Sequence, residues 1–336
     1  NTPASDIQFI KYSERLKQLD ISETQIAEID PLLNLKSLER LKMVRTPVLS
    51  FQVLNEFQNL QYLDLTESGF NNSENIKDLK RLKELNLSKN YLINFSSLSE
   101  LDSLKNIDLS ETNIIDLSPL RGLDLLETIN ITNTEVADIS GLNAKSNLRK
   151  VLADETKLSV IAADNFIRAN PNVLLIHHVR DLESWWTALS EPWKNVLRKA
   201  NPQIRGENPD VELLTSTIGL ESLDLAGMEV KTLNPITRFV KLRKIDFSDN
   251  PISDLLPLSE VKTLKEVKAE NTGVQDLAPL TNLDSLVRLN FSGSPIESIL
   301  PIQSLGNLSY LNVNQANFLE EEVPQLLQIK PNLTLV

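Results

Sequence analysis

A segment built on leucine and isoleucine returns along this chain every 22 residues. Its form is plain at Leu104, Ile107, Leu109, Thr112, Ile114, Leu117, Pro119 and Leu120. The first position of the pattern falls at Leu16, Leu38, Leu60, Leu82, Leu104, Leu126 and Leu148, then again at Leu220, Leu242, Leu264, Leu286 and Leu308. These are twelve copies, with no slip inside either run. A fixed period of this length marks a solenoid, whose units bury their apolar faces only by stacking on one another. A solenoid grows in one dimension, so the 336 residues need not divide into several compact domains.

Each repeat opens with L-x-x-L-x-L. Alternation of this kind predicts a short strand with its leucines on one side. Identical strands one period apart can stack in parallel at ~4.8 Å. After the strand stand Thr24, Thr46, Ser68, Asn90, Thr112, Thr134 and Thr156, side chains able to bond the backbone of a sharp buried turn. Apolar positions follow (Ile26, Val48, Phe70, Leu92, Ile114, Val136, Leu158, then residues such as Ile29, Phe51, Phe95 and Leu117). Pro31, Pro119, Pro235, Pro257, Pro279 and Pro301 suit the first turn of a short helical segment. The return leg ends at Leu35, Phe57, Leu79, Leu101 and Leu123. Stacked, these positions supply a continuous core.

The pattern resembles the leucine-rich repeat family across nearly the whole chain. The period and return legs such as Asn250-Pro251-Ile252-Ser253-Asp254-Leu255 resemble the internalin-like and protein-phosphatase-regulator-like subclass, and so point to a bacterial protein. The resemblance implies an α/β fold. It is a right-handed superhelix with short parallel strands on the concave face and short helical or 3-10 turns on the convex face. It also implies protein recognition, usually by the concave face.

Both runs end alike. Asp6-Ile7-Gln8-Phe9-Ile10 and Asp210-Val211-Glu212-Leu213-Leu214 lie at the same distance before the first repeat and read as equivalent N-terminal caps. Pro171 and Pro331 lie at the same distance past the last repeat. A longer helix (around Asp164–Ala169 or Glu320–Ile329) and a closing strand are expected at each end. The run starts are offset by 204 residues and the ends by 160; the difference, 44, is two whole repeats. An internal duplication accounts for this. The expected division is a first solenoid over 1–176, a Trp-rich helical connector over 177–209 and a second solenoid over 210–336. In the connector, Leu182, Trp185, Trp186 and Leu189 share one helical face, and Trp193, Val196, Leu197 and Ala200 another. Ser190 is placed to cap the second helix, with Pro192 in its first turn. The tryptophans could form a docking surface, but their helical spacing predicts core, which favours a rigid joint. The element resembles one in leucine-rich repeat proteins of Gram-negative bacteria. A similar Trp-bearing helix is expected upstream of Asn1.

Lys and Arg number 34 against 46 Asp and Glu, a formal charge of −12. That balance argues against nucleic acid and anionic membranes. No apolar run is long enough to span a bilayer, so no membrane insertion is expected. With no cysteine, disulfides, thiolate metal sites and cysteine catalysis are excluded. The two histidines, His177 and His178, are adjacent; on a strand they would point to opposite faces and could not chelate together. The aspartates lie on successive strands rather than in one calcium-binding loop. No nucleophile–base set or phosphate-cradling glycine loop occurs, so neither enzymatic activity nor a cofactor is expected. Asn86, Asn130 and Asn290 open N-x-S/T triplets, a coincidence of the repeat rather than glycosylation sites.

Candidate binding residues lie between the strand leucines. One series reads Asp20, Lys42, Asp64, Asn86, Asp108, Asn130, Leu152, Asp224, Asp246, Lys268, Asn290 and Asn312; another reads Glu23, Arg45, Glu67, Lys89, Glu111, Asn133 and Glu155. An acidic face could steer a basic partner. The plainer reading is a solvated face carrying the repeat's own template. Arg40, Lys42, Val44 and Arg45 break the template with Tyr62 one strand over, Leu152 stands as an exposed apolar residue, and Arg288, Tyr310 and Asn312 form a similar set. With Asp64 and Asp108 these are the candidate protein-binding residues, since Tyr and Arg are favoured anchors. The expectation is a monomeric, non-enzymatic recognition module. A structural surface-layer spacer and an intracellular subunit regulating an enzyme such as a phosphatase are the rivals. A bacterial surface or periplasmic setting is expected, with the cytoplasm as the alternative.

Overall fold

The computed structural model describes residues 4–336. The chain falls into two compact units, dividing between His178 and Val179. The first unit carries an eight-stranded sheet in sequence order: β1 (Gln18–Asp20), β2 (Arg40–Lys42), β3 (Tyr62–Asp64), β4 (Glu84–Asn86), β5 (Asn106–Asp108), β6 (Thr128–Asn130), β7 (Lys150–Leu152) and β8 (Leu174–Ile176). All pair in parallel, and within the repeats each residue faces its counterpart one period on, as Leu63 faces Leu85. The second unit carries β9 (Ser222–Asp224), β10 (Lys244–Asp246), β11 (Glu266–Lys268), β12 (Arg288–Asn290), β13 (Tyr310–Asn312) and β14 (Thr334–Leu335), also all parallel. The closing strands β8 and β14 stand where the sequence places them.

The register follows from the side chains. The middle residue of each strand is buried in eleven of the twelve repeats' strands, and Leu19 of β1 packs against the core from its edge. Full burial of one such leucine stabilises by ~1.5–3 kcal/mol. The chain then turns, and the buried hydroxyl or amide at the turn bonds carbonyls that no strand neighbour reaches. Thr112 Oγ1 donates to Leu109 O at 2.6 Å, and Thr46 Oγ1 reaches Ile21 O of the preceding repeat at 2.9 Å. Asn90 Nδ2 bonds Leu65 O (2.8 Å) and Leu87 O (3.0 Å). In the second unit Asn250 does the same for Leu225 O (2.8 Å) and Phe247 O (3.1 Å), while its Oδ1 accepts from Val230 N. It thereby serves the preceding turn, where Met228 offers no polar group. The return legs are 3-10 turns, with proline in the first turn at Pro31, Pro119, Pro235, Pro257, Pro279 and Pro301.

The ends match in plan and differ in detail. Asp6 and Asp210 each accept the backbone N–H two residues on, at 2.7 Å. The first cap is only a 3-10 turn, Gln8–Tyr12, whereas the second is a helix, Val211–Ile218. The C-terminal helices span Val160–Ala169 (α1) and Glu322–Ile329. The intervening hairpin is α2 (Val179–Ala188) and α3 (Glu191–Ala200); with these, Val211–Ile218 is α4 and Glu322–Ile329 is α5. Rather than standing as a separate connector, α2 and α3 share one core with the second repeats: Leu182, Trp186, Trp193 and Leu197 pack with Leu214 and Leu223. Trp193 is 1% exposed, and its Nε1 donates to Thr232 O at 2.8 Å. Trp186 Nε1 donates to Glu207 O at 2.7 Å. Ser190 has N-cap backbone angles, but its hydroxyl makes no capping bond. The tryptophans are core, with Trp185 partly buried against Phe239.

One core position departs from the template. Lys145 stands where earlier return legs carry Leu101 or Leu123, and its side chain is 3% exposed. Its ammonium donates to Arg121 O (2.8 Å) and Leu123 O (3.0 Å). Burial pushes its pKa below 10.5, with Asp124 opposing. Between that lowered value and 10.5 the unfolded chain holds the proton more tightly, so stability contributed here rises with pH. Across that window wild type is expected to gain stability relative to Lys145→Met, measured by urea unfolding at stepped pH; parallel curves would contradict it. Asn250→Ala, which strands several buried groups at once, is expected to cost ~2–4 kcal/mol in the same assay.

Candidate functional site

The first and third residues of each strand point away from the core and together form the strand face. The third position is the Asp/Asn series, and its acceptors are engaged by the fold itself. Asp20 Oδ1 accepts from Ser22 N (2.9 Å), Asn86 from Ser88 N (2.9 Å), Asp108 from Ser110 N (2.9 Å) and Asn130 from Thr132 N (3.0 Å). Asp224, Asp246, Asn290 and Asn312 repeat the bond in the second unit at 3.0–3.1 Å. This local bond turns the chain at the strand end. Asp108 also accepts from Ser110 Oγ (2.6 Å) and Asn130 Nδ2 (3.1 Å). Burial raises the pKa of Asp20, but the Ser22 hydrogen bonds outweigh it and hold the carboxyl below its ordinary value. Where lysine breaks the series, the neighbouring repeat compensates: Ser22 Oγ accepts from Val44 N and Ser248 Oγ from Glu270 N, both at 3.1 Å.

The second acidic series is not part of the flat strand face. Glu23, Arg45, Glu67, Lys89, Glu111, Asn133 and Glu155 all sit in the turn with φ between 51° and 58°. The left-handed conformation costs a side-chain-bearing residue roughly 1–2 kcal/mol, and in the second unit Gly227 and Gly293 take two of these places. The side chains form a ladder of alternating charge. Arg45 pairs with Glu67 (2.8 Å) and Glu23 (3.5 Å), and Lys89 with Glu111 (3.6 Å). Arg45 is therefore already ion-paired with two carboxylates of the chain.

The repeat register, the parallel strands and the recurring buried turn bond are now all directly observed. The chain is a leucine-rich-repeat solenoid. No protein-family model matches the sequence, and no curated protein matches it. Solved structures do. An internalin of Listeria monocytogenes is 20% identical, with 99% of this chain and 84% of that chain covered and a TM-score of 0.48. A leucine-rich-repeat protein of Leptospira interrogans is 18% identical over 99% and 93% of the two chains, TM-score 0.45. The plant peptide hormone receptor RGFR1, in complex with RGF2, is 15% identical over 98% of this chain and 49% of that chain, TM-score 0.42.

On the leucine-rich repeats the structure brings Arg40, Lys42 and Tyr62 together. The Arg40 guanidinium lies 3.9 Å from the Tyr62 ring centroid and the Lys42 ammonium 5.6 Å. The Tyr62 hydroxyl donates to Asp64 Oδ2 (3.3 Å), and Asp64 Oδ1 accepts from Thr66 N and Oγ1. Burial, then the Asp64 carboxylate, raises the Tyr62 pKa. Val44 is half-buried beside this cluster. Arg288 and Tyr310 repeat the stack at 4.3 Å, with Asn312 holding its own turn. Leu152 is half-buried rather than exposed: it closes one end of a hollow of about 290 Å³ that Tyr62 closes at the other. Glu84, Asn106, Asp108 and Thr128 line it between them. Glu84 escaped the sequence reading because it follows no template; it is the exposed acid on this floor.

His177 and His178 do not point apart. His178 is left-handed (φ 49°), which brings the two Nδ1 atoms within 2.6 Å. Among the described residues no group of three His, Asp or Glu is arranged to hold a metal, and no helix is long and apolar enough to cross a membrane. A second surface went unread in the sequence: Tyr91, Ile93 and Ile115 are 74%, 74% and 68% exposed along one edge of the first unit. Where the isoleucines stand in the template, the second unit carries Lys231, Ser253, Gln275, Glu297 and an exposed Leu319. The bonding of Asp108 predicts that Asp108→Ala costs ~1–2 kcal/mol in thermal or chemical unfolding, while Glu84→Ala changes stability by less than about 0.5 kcal/mol. Equal effects would contradict the assignment of Asp108 to the fold.

Proposed function

We propose that this chain is a protein-recognition module that binds through its strand faces and catalyses no reaction. The observation that carries the reading is the hollow between Tyr62 and Leu152. A partner side chain entering it would meet an aromatic ring at one end, a leucine at the other and Glu84 on the floor. An apolar contact flanked by polar groups is the make-up of an interface centre. The solenoid supplies the rigidity: β3 to β7, which carry the hollow, are each hydrogen-bonded to a strand on both sides, so little ordering cost accompanies binding. The carboxylates of the Asp series support the scaffold and add only a background field.

The test is capture of partners on the immobilised chain, with Glu84→Lys/Leu152→Asn as the comparison. Asn is the template residue at position 152, so the variant keeps the strand end. A partner bound by wild type and weakened by at least ~30-fold in the variant supports the reading. A partner held equally by both, or no partner from any native extract, contradicts it.

A further inference from the structure

Arginine and tyrosine are rare on the strands, and they stand in the same relation in both units. Among the described residues, arginine occurs within a strand only as Arg40 and Arg288, and tyrosine only as Tyr62 and Tyr310. In both cases the tyrosine is the registered neighbour of the arginine on the next strand. The third strand position adds a parallel. Its two lysines in twelve repeats are Lys42, on the strand of Arg40, and Lys268, one strand before Arg288. Each unit thus carries one Arg–Tyr stack with a lysine on the same or the preceding strand; the other strand cations of the face are Lys150 and Lys244.

The arginines differ from the other cations near them. Lys17 pairs with Glu39 (2.8 Å), Lys105 with Glu127 (2.7 Å), Lys199 with Asp224 (2.9 Å), Lys244 with Glu266 (3.5 Å) and Arg45 with two glutamates. Arg40 and Arg288 pair with no carboxylate among the described residues; each is held by the face of a tyrosine ring. Of the nearest acids, Asp64 accepts from Thr66 and Tyr62 and Glu266 pairs with Lys244, while Glu84 lies one strand beyond Tyr62 from Arg40. Ring stacking fixes the plane of a guanidinium and leaves its N–H edges open. A planar fork of donors fits a carboxylate through two parallel hydrogen bonds.

We infer that Arg40 with Lys42, and Arg288 with Lys268, are the anchor points of the strand faces, and that each takes a carboxylate side chain from an acidic segment of a protein partner. The inference rests on the recognition reading and gives it a partner chemistry. It reverses the sign that the bulk charge suggests: a chain of net charge −12 receives acids, locally, at two arginines that pair with no carboxylate among the described residues.

The test is titration of the full chain with an end-capped Gly-Glu-Gly-Glu-Gly peptide, following the arginine side-chain Nε–Hε signals by NMR. The expected result is movement of two arginine signals, weakened by added salt. Affinity should fall at least about tenfold in Arg40→Gln/Arg288→Gln, fall less in Arg40→Lys/Arg288→Lys, and stay unchanged in Arg121→Gln. Arg121, which ends a 3-10 turn away from the strands, is the control. The inference is overturned by equal binding to wild type and the double Gln variant, by equal binding of the Gln-for-Glu peptide, by no binding, or by inorganic phosphate binding more tightly than the peptide. None of these would remove a partner captured through Glu84 and Leu152, so the two claims fail separately.

Discussion

The buried polar side chain that closes most of the turns is the bond on which the rest of the molecule depends. A strand of three residues followed by a reversal leaves carbonyls pointing into an apolar core. An unmet carbonyl there costs ~1–3 kcal/mol, and the cost recurs with every repeat. Thr46 meets the carbonyl of its predecessor, and Asn90 and Asn250 each meet several. At Thr46, Asn90, Asn250 and Ser294 the bond reaches the preceding repeat, so there it ties neighbours together as well as closing a turn. Once the turn is fixed, the third strand residue must end the strand, which Asp and Asn do with their own side chains. The next turn residues must then enter the left-handed region.

That sequence of constraints determines what the exposed faces are free to do. Asp and Asn on the strand ends engage their own backbone, and Glu, Arg and Lys on the left-handed turns neutralise one another across repeats. The acidic appearance of the faces is largely a by-product of holding the strands in register. The template breaks at Lys42 and Lys268 without loss, because Ser22 and Ser248 of the preceding repeats supply the missing acceptor. Tolerance of this kind lets a repeat scaffold place unlike side chains on an unchanged backbone.

The architecture was legible because periodicity is a one-dimensional signal. Register, the closing strands at Leu174–Ile176 and Thr334–Leu335, the proline-led return turns and the buried tryptophans all follow from counting. What could not be counted was the destination of each hydrogen bond. Arg45 looked like part of a basic cluster, yet its partners Glu23 and Glu67 lie one repeat away on either side and take it out. Leu152 looked exposed because its neighbours in the series are polar; the hollow beside it appears only when the strands are stacked. Adjacent histidines were expected to diverge, which holds on a strand and fails when the second residue is left-handed. The hairpin read as a connector because it interrupts the period, while its core is shared with the repeats that follow it.

The stacked Arg40–Tyr62 and Arg288–Tyr310 pairs are where the scaffold and its proposed use meet, and the stacking can be measured without any partner. NMR of the arginine side chains in wild type, Tyr62→Leu and Tyr310→Leu is the most direct test. Aromatic ring currents should displace the Hδ and Hε signals of two arginines upfield from the rest. Each tyrosine variant should return one of them, and only one, to the common position. If no arginine signal is displaced in the wild type, or if both tyrosine variants leave the spectrum unchanged, the guanidinium groups are not held on the rings and the account of the strand faces is wrong.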